Sequence, residues 1–168
     1  RLIFLLRGIN FTDLALLTRE NIKNGRIIYS RSKTKKTYSV KLEPLAKDII
    51  EAYIHPERIT LLPILNNEQY KDKKNIPDTL GWKRKYCNKG LKKIGKKIGF
   101  KEPLSTYVFR YSHANACKKM GYPKDMISES LGHAYGMSVS SCYLEDYDLE
   151  LIDEMNKNVC NLVIDEGT

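Results

Sequence analysis

The fold class of this chain is decided by the stretch RIIYSRSKTKKTYSVKL, residues 26–42. Two short runs within it, RIIYSR at 26–31 and TYSVKL at 37–42, predict strands. In the second run apolar and polar residues alternate, with Tyr38, Val40 and Leu42 on one face. The polar segment 32–36 between them predicts a turn. The stretch is therefore expected to form a small antiparallel β-hairpin with lysines at its tip.

On both sides of the hairpin, apolar residues recur at the spacing of an α-helix. The opening run LIFLLRG predicts the end of a buried helix that stops at Gly8, and the stretch TDLALL, residues 12–17, is expected to begin a second helix with Thr12 as its N-cap. A third helix is predicted over 42–53, with Pro44 in its first turn.

The second half of the chain is predicted to be helical after a loop over 55–79. A basic helix is expected from Leu80 to Ile98, with Leu91, Ile94 and Ile98 toward the core. Further helices are expected from the Ser105 cap to Gly121, from Pro123 to Gly132, over 138–144, and over 149–163 with an apolar stripe at Leu149, Ile152, Met155, Val159 and Leu162. Residues 1–168 are thus predicted to be one domain, mainly α with a small antiparallel β-hairpin.

Length and composition are those of a folded protein with one sizeable core. The chain has 168 residues, 42% hydrophobic and 29% charged, which excludes two large domains and a disordered chain. Its longest apolar run, residues 2–6, is too short to span a membrane. Four cysteines without a Cys-x-x-Cys pair predict reduced thiols in a cytosol and no zinc cluster. Because the chain opens with Arg1, we expect a fragment that lacks an amino-terminal portion.

The charge of the chain predicts a polyanionic partner. Lys and Arg number 29 against 20 Asp and Glu, a net charge of +9, which favours nucleic acid first and a membrane surface second. The segments 23–41 and 83–101 contain seven and nine basic residues and no acid, whereas 145–154 contains six acids and no base. A single such run is most often a solvated face. Two of them in one small domain favour contact with phosphates.

Four features of the sequence have the residue types of a reactive site. They are Arg7 after an apolar helix, Lys33 at the hairpin tip, Arg110 within a helix, and the segment LGHAYGMSVSSCYLE with His133 and Tyr143. Each also has a plain structural explanation. An arginine at a helix end commonly forms a surface ion pair, lysines protect sheet edges, and a tyrosine is by default a packing residue.

In combination and in this order, these features resemble the catalytic domain of tyrosine recombinases, the phage integrase family of site-specific DNA strand exchangers. The counterparts are Arg7, Lys33 in RSKTKK, Arg110 in TYVFRYSHA, LGH at 131–133 and Tyr143 in CYLED. The likeness covers nearly the whole chain and is strongest to integrases of bacterial mobile elements such as conjugative transposons. It implies the fold of DNA breaking-rejoining enzymes and a bacterial cytoplasmic, nucleoid-associated location.

The sequence departs from the family pattern at three points. Tyr107 stands where a histidine is usual, and the acid after the first arginine, Asp13, follows it by six residues instead of three. Tyr143 follows His133 by ten residues instead of nine, so that Cys142 occupies the usual position. Tyr143 is retained as the nucleophile because it begins the matching YLE stretch and because a thiolate would leave a labile ester.

The resemblance implies a chemistry that these residue types can perform. Tyr143 would attack the scissile phosphate and form a 3′-phosphotyrosyl intermediate, which stores the bond energy without ATP. Arg7 and Arg110 would hold the non-bridging oxygens, in the place of a metal ion. Lys33 would protonate the leaving 5′ oxygen, and His133 would hydrogen-bond the phosphate or assist proton transfer. No cofactor is implied.

Two other tyrosines and a histidine are weaker candidates. Tyr107 is predicted to support the site, since a phenol donates a hydrogen bond but does not shuttle protons near neutral pH. Tyr135 and Tyr147 are less well spaced from the LGH motif than Tyr143. His113 is predicted to face away from Tyr107, because six residues advance about 600° around a helix.

The implied partner is double-stranded DNA. The resemblance further implies that the protein binds DNA as a homo-tetramer in which the C-terminal helix 149–164 is exchanged between protomers. The fragment alone is compatible with a monomer whose C-terminal helix folds back onto its own chain. The missing amino-terminal part is expected to clamp the opposite face of the DNA. The candidate DNA contacts are Lys35, Lys36, Lys83, Arg84, Lys85, Lys89, Lys92, Lys93, Lys96 and Lys97. Two alternatives stay open, a non-catalytic basic nucleic-acid-binding module and a type IB topoisomerase-like enzyme.

Overall fold

The computed structural model describes residues 1–132 and 146–165, and this part of the chain is mainly helical with one small antiparallel sheet. The coarse fold class predicted from the sequence is therefore confirmed. The helices are α1 (Leu2–Leu5), α2 (Phe11–Leu16), α3 (Pro44–Tyr53), α4 (Asn67–Lys71), α5 (Ile76–Lys97), α6 (Thr106–Lys119), α7 (Lys124–Ser130) and α8 (Leu149–Asp165), with a 3-10 turn at Arg19–Asn21. No helix in these ranges has an apolar stretch of the length that a membrane crossing requires.

The hairpin is present, and a third strand extends it. Strands β2 (Arg26–Ser30) and β3 (Thr37–Lys41) pair antiparallel with Tyr29 opposite Tyr38, and β1 (Ile22–Lys23) pairs with the other edge of β2. The sequence did not predict β1, because a strand of two residues is too short to show alternation.

The predicted cap of α2 is wrong by two residues. Asn10 is the N-cap, and its side chain accepts a hydrogen bond from the backbone N–H of Thr12 at 2.9 Å. Asn and Thr are both common N-cap residues. Asn10 is the cap here because it is the last residue in the extended conformation, and the helix already begins at Phe11. Helix α1 ends at Leu5, three residues before the predicted stop at Gly8, and the turn that follows contains Arg7 and Gly8 with φ of +53° and +64°.

The loop predicted over 55–79 is also partly wrong. It contains α4, whose start is stabilised by reciprocal hydrogen bonds between Asn66 and Gln69. Helix α5 begins at Ile76, four residues before the predicted start at Leu80. Pro77 does not prevent this, because the first turn of a helix requires no backbone donor.

The predicted core stripe of the basic helix is wrong. Ile94 and Ile98 are 54% and 67% exposed, and the buried residues of α5 are Leu80 and Gly95. A Cβ on Gly95 would lie 3.1 Å from the Leu104 side chain. The helix therefore approaches the domain through the gap that a glycine leaves, a contact that an apolar periodicity does not reveal.

The last helix joins two core clusters. One cluster unites α1, the sheet and α3, and includes Cys160 of α8. The other unites α6 and α7 with Ile152, Met155 and Val159 of α8. The ends of the predicted stripe, Leu149 and Leu162, are exposed instead. Helix α8 is thus folded onto its own chain.

Candidate active site

Arg7 lies inside the domain, so its interpretation as a surface ion-pair residue is wrong. Only 4% of the residue is exposed, and its Nη2 donates to the carbonyl oxygen of Ser39 on β3 at 2.6 Å. Its Nε is buried without a hydrogen-bond partner in the part of the chain that the structure describes. Burial lowers the pKa of Arg7, and the Asp153 carboxylate opposes that shift.

Arg110 lies in the middle of α6, which begins at the predicted cap: the Ser105 hydroxyl accepts from the N–H of Val108 at 3.4 Å. Its guanidinium donates to the carbonyl oxygen of Gly8 and, at 2.6 Å, to that of Leu131. The residue is 7% exposed, and burial lowers its pKa, followed by the positive charge of Arg31. Arg110 therefore brings the turn after α1 and the end of α7 to one place.

Two glycines allow this approach. A Cβ on Gly8 would lie 2.8 Å from Leu131 Cδ2 and 3.0 Å from Arg110 Cγ. Gly132, with φ of +76°, ends α7 as predicted, and a Cβ there would lie 2.6 Å from Tyr38 Cζ. Both positions need a residue that tolerates positive φ and occupies no space beyond the backbone.

The backbone that leads into His133 is held by arginines at two consecutive carbonyls. Leu131 O accepts from Arg110, and Gly132 O accepts from Arg31 Nη1. Residues 133–145, and with them His133, Tyr143, Cys142 and Tyr135, lie outside the described residues, as does the predicted helix 138–144. The structure thus brings Arg110 to Gly8, which follows Arg7, and to Leu131, which lies two residues before His133.

Two tyrosines of the sheet, Tyr29 on β2 and Tyr38 on β3, lie next to the candidate site. The rings of Tyr29 and Tyr38 stack at 5.7 Å between centroids and 29° between planes. Burial raises the pKa of Tyr29, with a further contribution from Asp13, whereas the charges of Arg7 and Arg110 oppose the shift. Tyr29 therefore lies within electrostatic range of both candidate catalytic arginines.

Asp13 connects α2 to the start of the hairpin loop. The residue is buried, and its Oδ1 accepts a hydrogen bond from the backbone N–H of Ser32 at 2.9 Å. Asp13, the acid that follows Arg7 by six residues instead of three, thus positions the loop that carries Lys33.

Lys33 is exposed at the hairpin tip, and no hydrogen bond or ion pair joins it to the described residues. It is therefore not brought into contact with the arginines. Its neighbour Lys36 forms an ion pair with Asp146 at 3.1 Å, which raises the pKa of the lysine. Lys35 is exposed in a left-handed conformation with φ of +59°. Of the two hairpin lysines assigned to DNA, one is thus paired with the acidic segment.

Tyr147, the weaker candidate among the described tyrosines, is engaged elsewhere. Its hydroxyl donates to Asp125 at 2.9 Å, and its backbone N–H lies 3.2 Å from the Glu129 carboxylate. The hydrogen bond to Asp125 raises the pKa of the Tyr147 phenol. Through these contacts Tyr147, which lies near the start of the acidic segment 145–154, fastens that segment to α7.

On α6, Tyr107 faces solvent and His113 faces the core, which confirms that His113 points away from Tyr107. Tyr107 is 54% exposed and meets the Tyr111 ring edge-on, with centroids 4.6 Å apart. His113 is fully buried, 3.5 Å from the Cys117 sulfur. Burial lowers the pKa of its imidazole to about 4.

The sequence reasoning missed Arg31, Tyr29 and Tyr38 as residues of this site. The usable signal was the position of Arg31 two residues before Lys33, directly after a strand whose partner carries Tyr38. Their contacts join segments about 100 residues apart, which no local pattern reports.

The basic helix α5 presents most of its charge to solvent. Among the candidate DNA contacts on it, Lys83 is partly buried and the others are exposed, and none forms an ion pair with the described residues. Trp82 and Tyr86, on the same helix, are 72% and 80% exposed, and Lys85 Nζ lies 5.1 Å from the Trp82 ring. Cations and exposed aromatic rings on one helix suit a nucleic-acid surface.

Metal-binding residues do not cluster in the described ranges, where no group of three or more His, Cys, Asp or Glu could hold an ion. Cys87, Cys117 and Cys160 are free thiols. Neither the protein-family models nor the curated proteins compared with the chain give a match.

Proposed function

We propose that the chain is the catalytic domain of a site-specific DNA recombinase that cleaves and rejoins strands through a 3′-phosphotyrosyl intermediate. The observation that carries the proposal is the double contact of Arg110 with Gly8 O, beside Arg7, and with Leu131 O, two residues before His133. Arg110 thereby contacts segments that lie, in the sequence, one residue after Arg7 and two residues before His133.

The environment of Arg7 supports a site for an anion. Its side chain is buried, its acceptor Ser39 O is neutral, and its Nε has no partner in the described ranges. Burying a cation without an ion-pair partner is costly, and the nearby Asp153 carboxylate, which favours the charged form of Arg7, is itself hydrogen-bonded to Arg26. A scissile phosphate would supply that partner, and guanidinium keeps its proton even when burial lowers the pKa.

In the proposed reaction, the Tyr143 hydroxyl gives its proton to water or to neutral His133, and its oxygen forms a bond to phosphorus while the bond from phosphorus to the 5′ oxygen breaks. Arg7 and Arg110 stabilise the negative charge on the non-bridging oxygens, where one such donor is worth about 3 kcal/mol. Lys33, on the exposed hairpin tip, gives the leaving 5′ oxygen its proton, and His133 hydrogen-bonds the phosphate or assists that transfer. Rejoining runs the same steps in reverse with a second 5′ hydroxyl.

A second candidate function is a non-catalytic nucleic-acid-binding module. The exposed Trp82 and Tyr86 among the lysines of α5 favour it, because such a surface binds DNA without any reaction. A type IB topoisomerase-like enzyme is a third, which would share the nucleophile and relax supercoils without joining different duplexes.

Covalent trapping on DNA of random sequence tests the proposal and selects the target site in one experiment. A pool of nicked random duplexes is incubated with the chain, and complexes that survive denaturation are recovered, amplified and sequenced. We expect wild type to enrich a defined sequence and Tyr143→Phe to recover none. Absence of an adduct from both, with DNA binding retained, would establish the binding module instead.

Peptide mapping of the adduct then identifies the nucleophile. We expect the DNA on the peptide that contains Tyr143, and Cys142→Ser to form the adduct at the wild-type rate. An adduct lost in Cys142→Ser and kept in Tyr143→Phe would transfer the role to the thiol.

Tyr107→Phe tests the supporting role of that residue. We expect slower adduct formation than wild type but more than Tyr143→Phe, because Tyr107 donates a hydrogen bond and forms no covalent bond. Tyr53→Phe is the matched control, because Tyr53 is as exposed as Tyr107 but lies on α3, away from the candidate site. Equal inactivity of Tyr107→Phe and Tyr143→Phe would contradict the ranking.

We further propose that the enzyme acts on bacterial nucleoid DNA as a homo-tetramer on two duplexes, with exchange of helix 149–164 between protomers. The folded-back α8 is held by a bidentate contact between Arg26 and Asp153, at 2.6 and 3.0 Å, and by Asn156 Nδ2 donating to Leu5 O at 3.2 Å. Exchange would require these contacts to form again on a neighbouring copy.

A further inference from the structure

We infer that Arg31 is a positioning residue for strand cleavage, which acts through the Gly132 carbonyl to orient the residue that follows, His133. The inference rests on the proposed function. The contact that carries it is the hydrogen bond from Arg31 Nη1 to Gly132 O, across 101 residues of sequence.

Arg31 is itself held firmly at the base of the hairpin loop. Its backbone N–H donates to Lys36 O at 2.9 Å, and its carbonyl accepts from the N–H of Lys35 at 2.8 Å. The next residue, Ser32, donates from its N–H to buried Asp13. These main-chain contacts hold the backbone of Arg31 in place, and from this position its guanidinium reaches Gly132 O.

The other side of the contact has no free space. A Cβ on Gly132 would lie 2.6 Å from Tyr38 Cζ and 2.9 Å from Arg31 Nη1. Tyr38 is buried and stacks on Tyr29. The Gly132 backbone thus rests against a fixed ring while Arg31 holds its oxygen.

Peptide planarity transmits this contact to the next residue. The carbonyl of Gly132 and the N and Cα atoms of residue 133 belong to one planar unit. Arg110 holds the preceding unit through Leu131 O. The two carbonyls that precede the candidate His133 in the sequence are thus both held, and small misplacements at a reacting centre cost about 100-fold in rate.

The proximity of Arg31 to Arg110 argues that this arrangement is functional. The positive charge of Arg31 lowers the pKa of Arg110, so the two cations repel each other. Each nevertheless donates to one of two adjacent carbonyls. A neutral donor could hold Gly132 O without that repulsion, whereas a second cation also adds to the field at the site where a phosphate would bind.

Arg31→Gln and Arg31→Lys test the inference on a duplex recovered by covalent trapping. Single-turnover cleavage is measured at saturating DNA, and the Kd is measured in a Tyr143→Phe background. For Arg31→Gln we expect cleavage slower by about 10- to 100-fold and a Kd within about threefold of its parent. Arg31→Lys keeps one charged donor and should recover to within about tenfold of wild type.

Arg19→Gln is the matched control, because Arg19 also donates to a main-chain carbonyl, that of His55 at 2.6 Å, on an exposed surface. It should cleave at the wild-type rate. Thermal unfolding of each variant checks that it is folded at the assay temperature. If Arg31→Gln is not folded, Arg31→Lys alone tests the inference. The inference then requires that Arg31→Lys cleaves measurably more slowly than wild type while its Kd is unchanged.

Two results would overturn the inference while leaving the proposed function intact. One is a wild-type cleavage rate in folded Arg31→Gln. The other is a weaker Kd and shallower salt dependence with an unchanged rate at saturation, which would make Arg31 a phosphate contact. If wild type itself forms no adduct, the proposed function fails, and the role of Arg31 in cleavage fails with it.

Discussion

Arg110 donates a hydrogen bond to the carbonyl oxygen of Gly8, a residue 102 positions earlier in the chain. The same guanidinium reaches Leu131, so one side chain determines how three segments meet. Two of these segments end in glycines with positive φ, Gly8 and Gly132. The stability of the site therefore depends on backbone conformations as much as on side chains.

Gly8→Ala should destabilise the domain by about 2–4 kcal/mol, the sum of a strained positive φ and a clash with Leu131 and Arg110. Gly25→Ala separates the two terms, because Gly25 also has positive φ, +72°, but no atom within 4 Å of an added Cβ. It should cost only about 1–2 kcal/mol. Urea unfolding of both variants gives the comparison, and equal losses would show that Leu131 and Arg110 are not packed against Gly8.

The contact between Arg26 and Asp153 should fasten α8 to the sheet. A double-mutant cycle with Arg26→Met and Asp153→Asn is expected to give a coupling of about 1–3 kcal/mol, because the side chains are only 21% and 13% exposed and the contact is bidentate. The control cycle uses Lys47 and Glu51, 62% and 58% exposed at 3.8 Å, where about 0.3–0.5 kcal/mol is expected. No coupling would show that the contact between Arg26 and Asp153 does not stabilise the docking of α8.

Acidification should destabilise the domain through His113. Its pKa is lowered from 6.5 to about 4 in the folded state, so between these values the unfolded chain binds a proton that the folded chain does not. The stability from neutral His113 is complete above pH 6.5 and is lost toward pH 4, at up to about 1.4 kcal/mol per pH unit.

The measurement is urea unfolding between pH 7 and pH 4.5, with the slope against pH as readout. His113→Leu should flatten the slope, whatever its effect at pH 7. His55→Gln, at an exposed position, should leave the slope as it is. A wild-type slope in His113→Leu would assign the acid sensitivity to other groups.

The exposed lysines of α5 should bind DNA phosphates. Replacing Lys89, Lys92, Lys93 and Lys96 by Gln should make the dependence of log K on log salt shallower by about 2–4, since each phosphate contact contributes about 0.9. Four exposed lysines elsewhere, Lys41, Lys47, Lys118 and Lys119, provide a control of equal charge. Equal changes in the two quadruple variants would show that net charge, and not α5, sets the affinity.

Several elements could be predicted from the sequence because their signals are local. The hairpin follows from strand alternation, the start of α6 from Ser105, and the end of α7 from Gly132. The inward stripe of α5 could not be predicted, because Gly95 approaches Leu104 through tertiary packing that no apolar period records. Of the candidate site, Arg7 and Arg110 were found, but their burial was not.

By itself, the sequence determined the alternation of the hairpin strands, the Ser105 cap, the end of α7 at Gly132 and the order of Arg7, Lys33, Arg110, His133 and Tyr143 along the chain. These properties depend on residue type and spacing alone. Only the tertiary structure decided that Arg110 reaches Gly8, the residue after Arg7, that Arg110 and Arg31 hold the consecutive carbonyls of Leu131 and Gly132, and that Lys36 pairs with Asp146. The reason is that such contacts arise from the space left between segments far apart in the chain, which depends on how all the elements pack together.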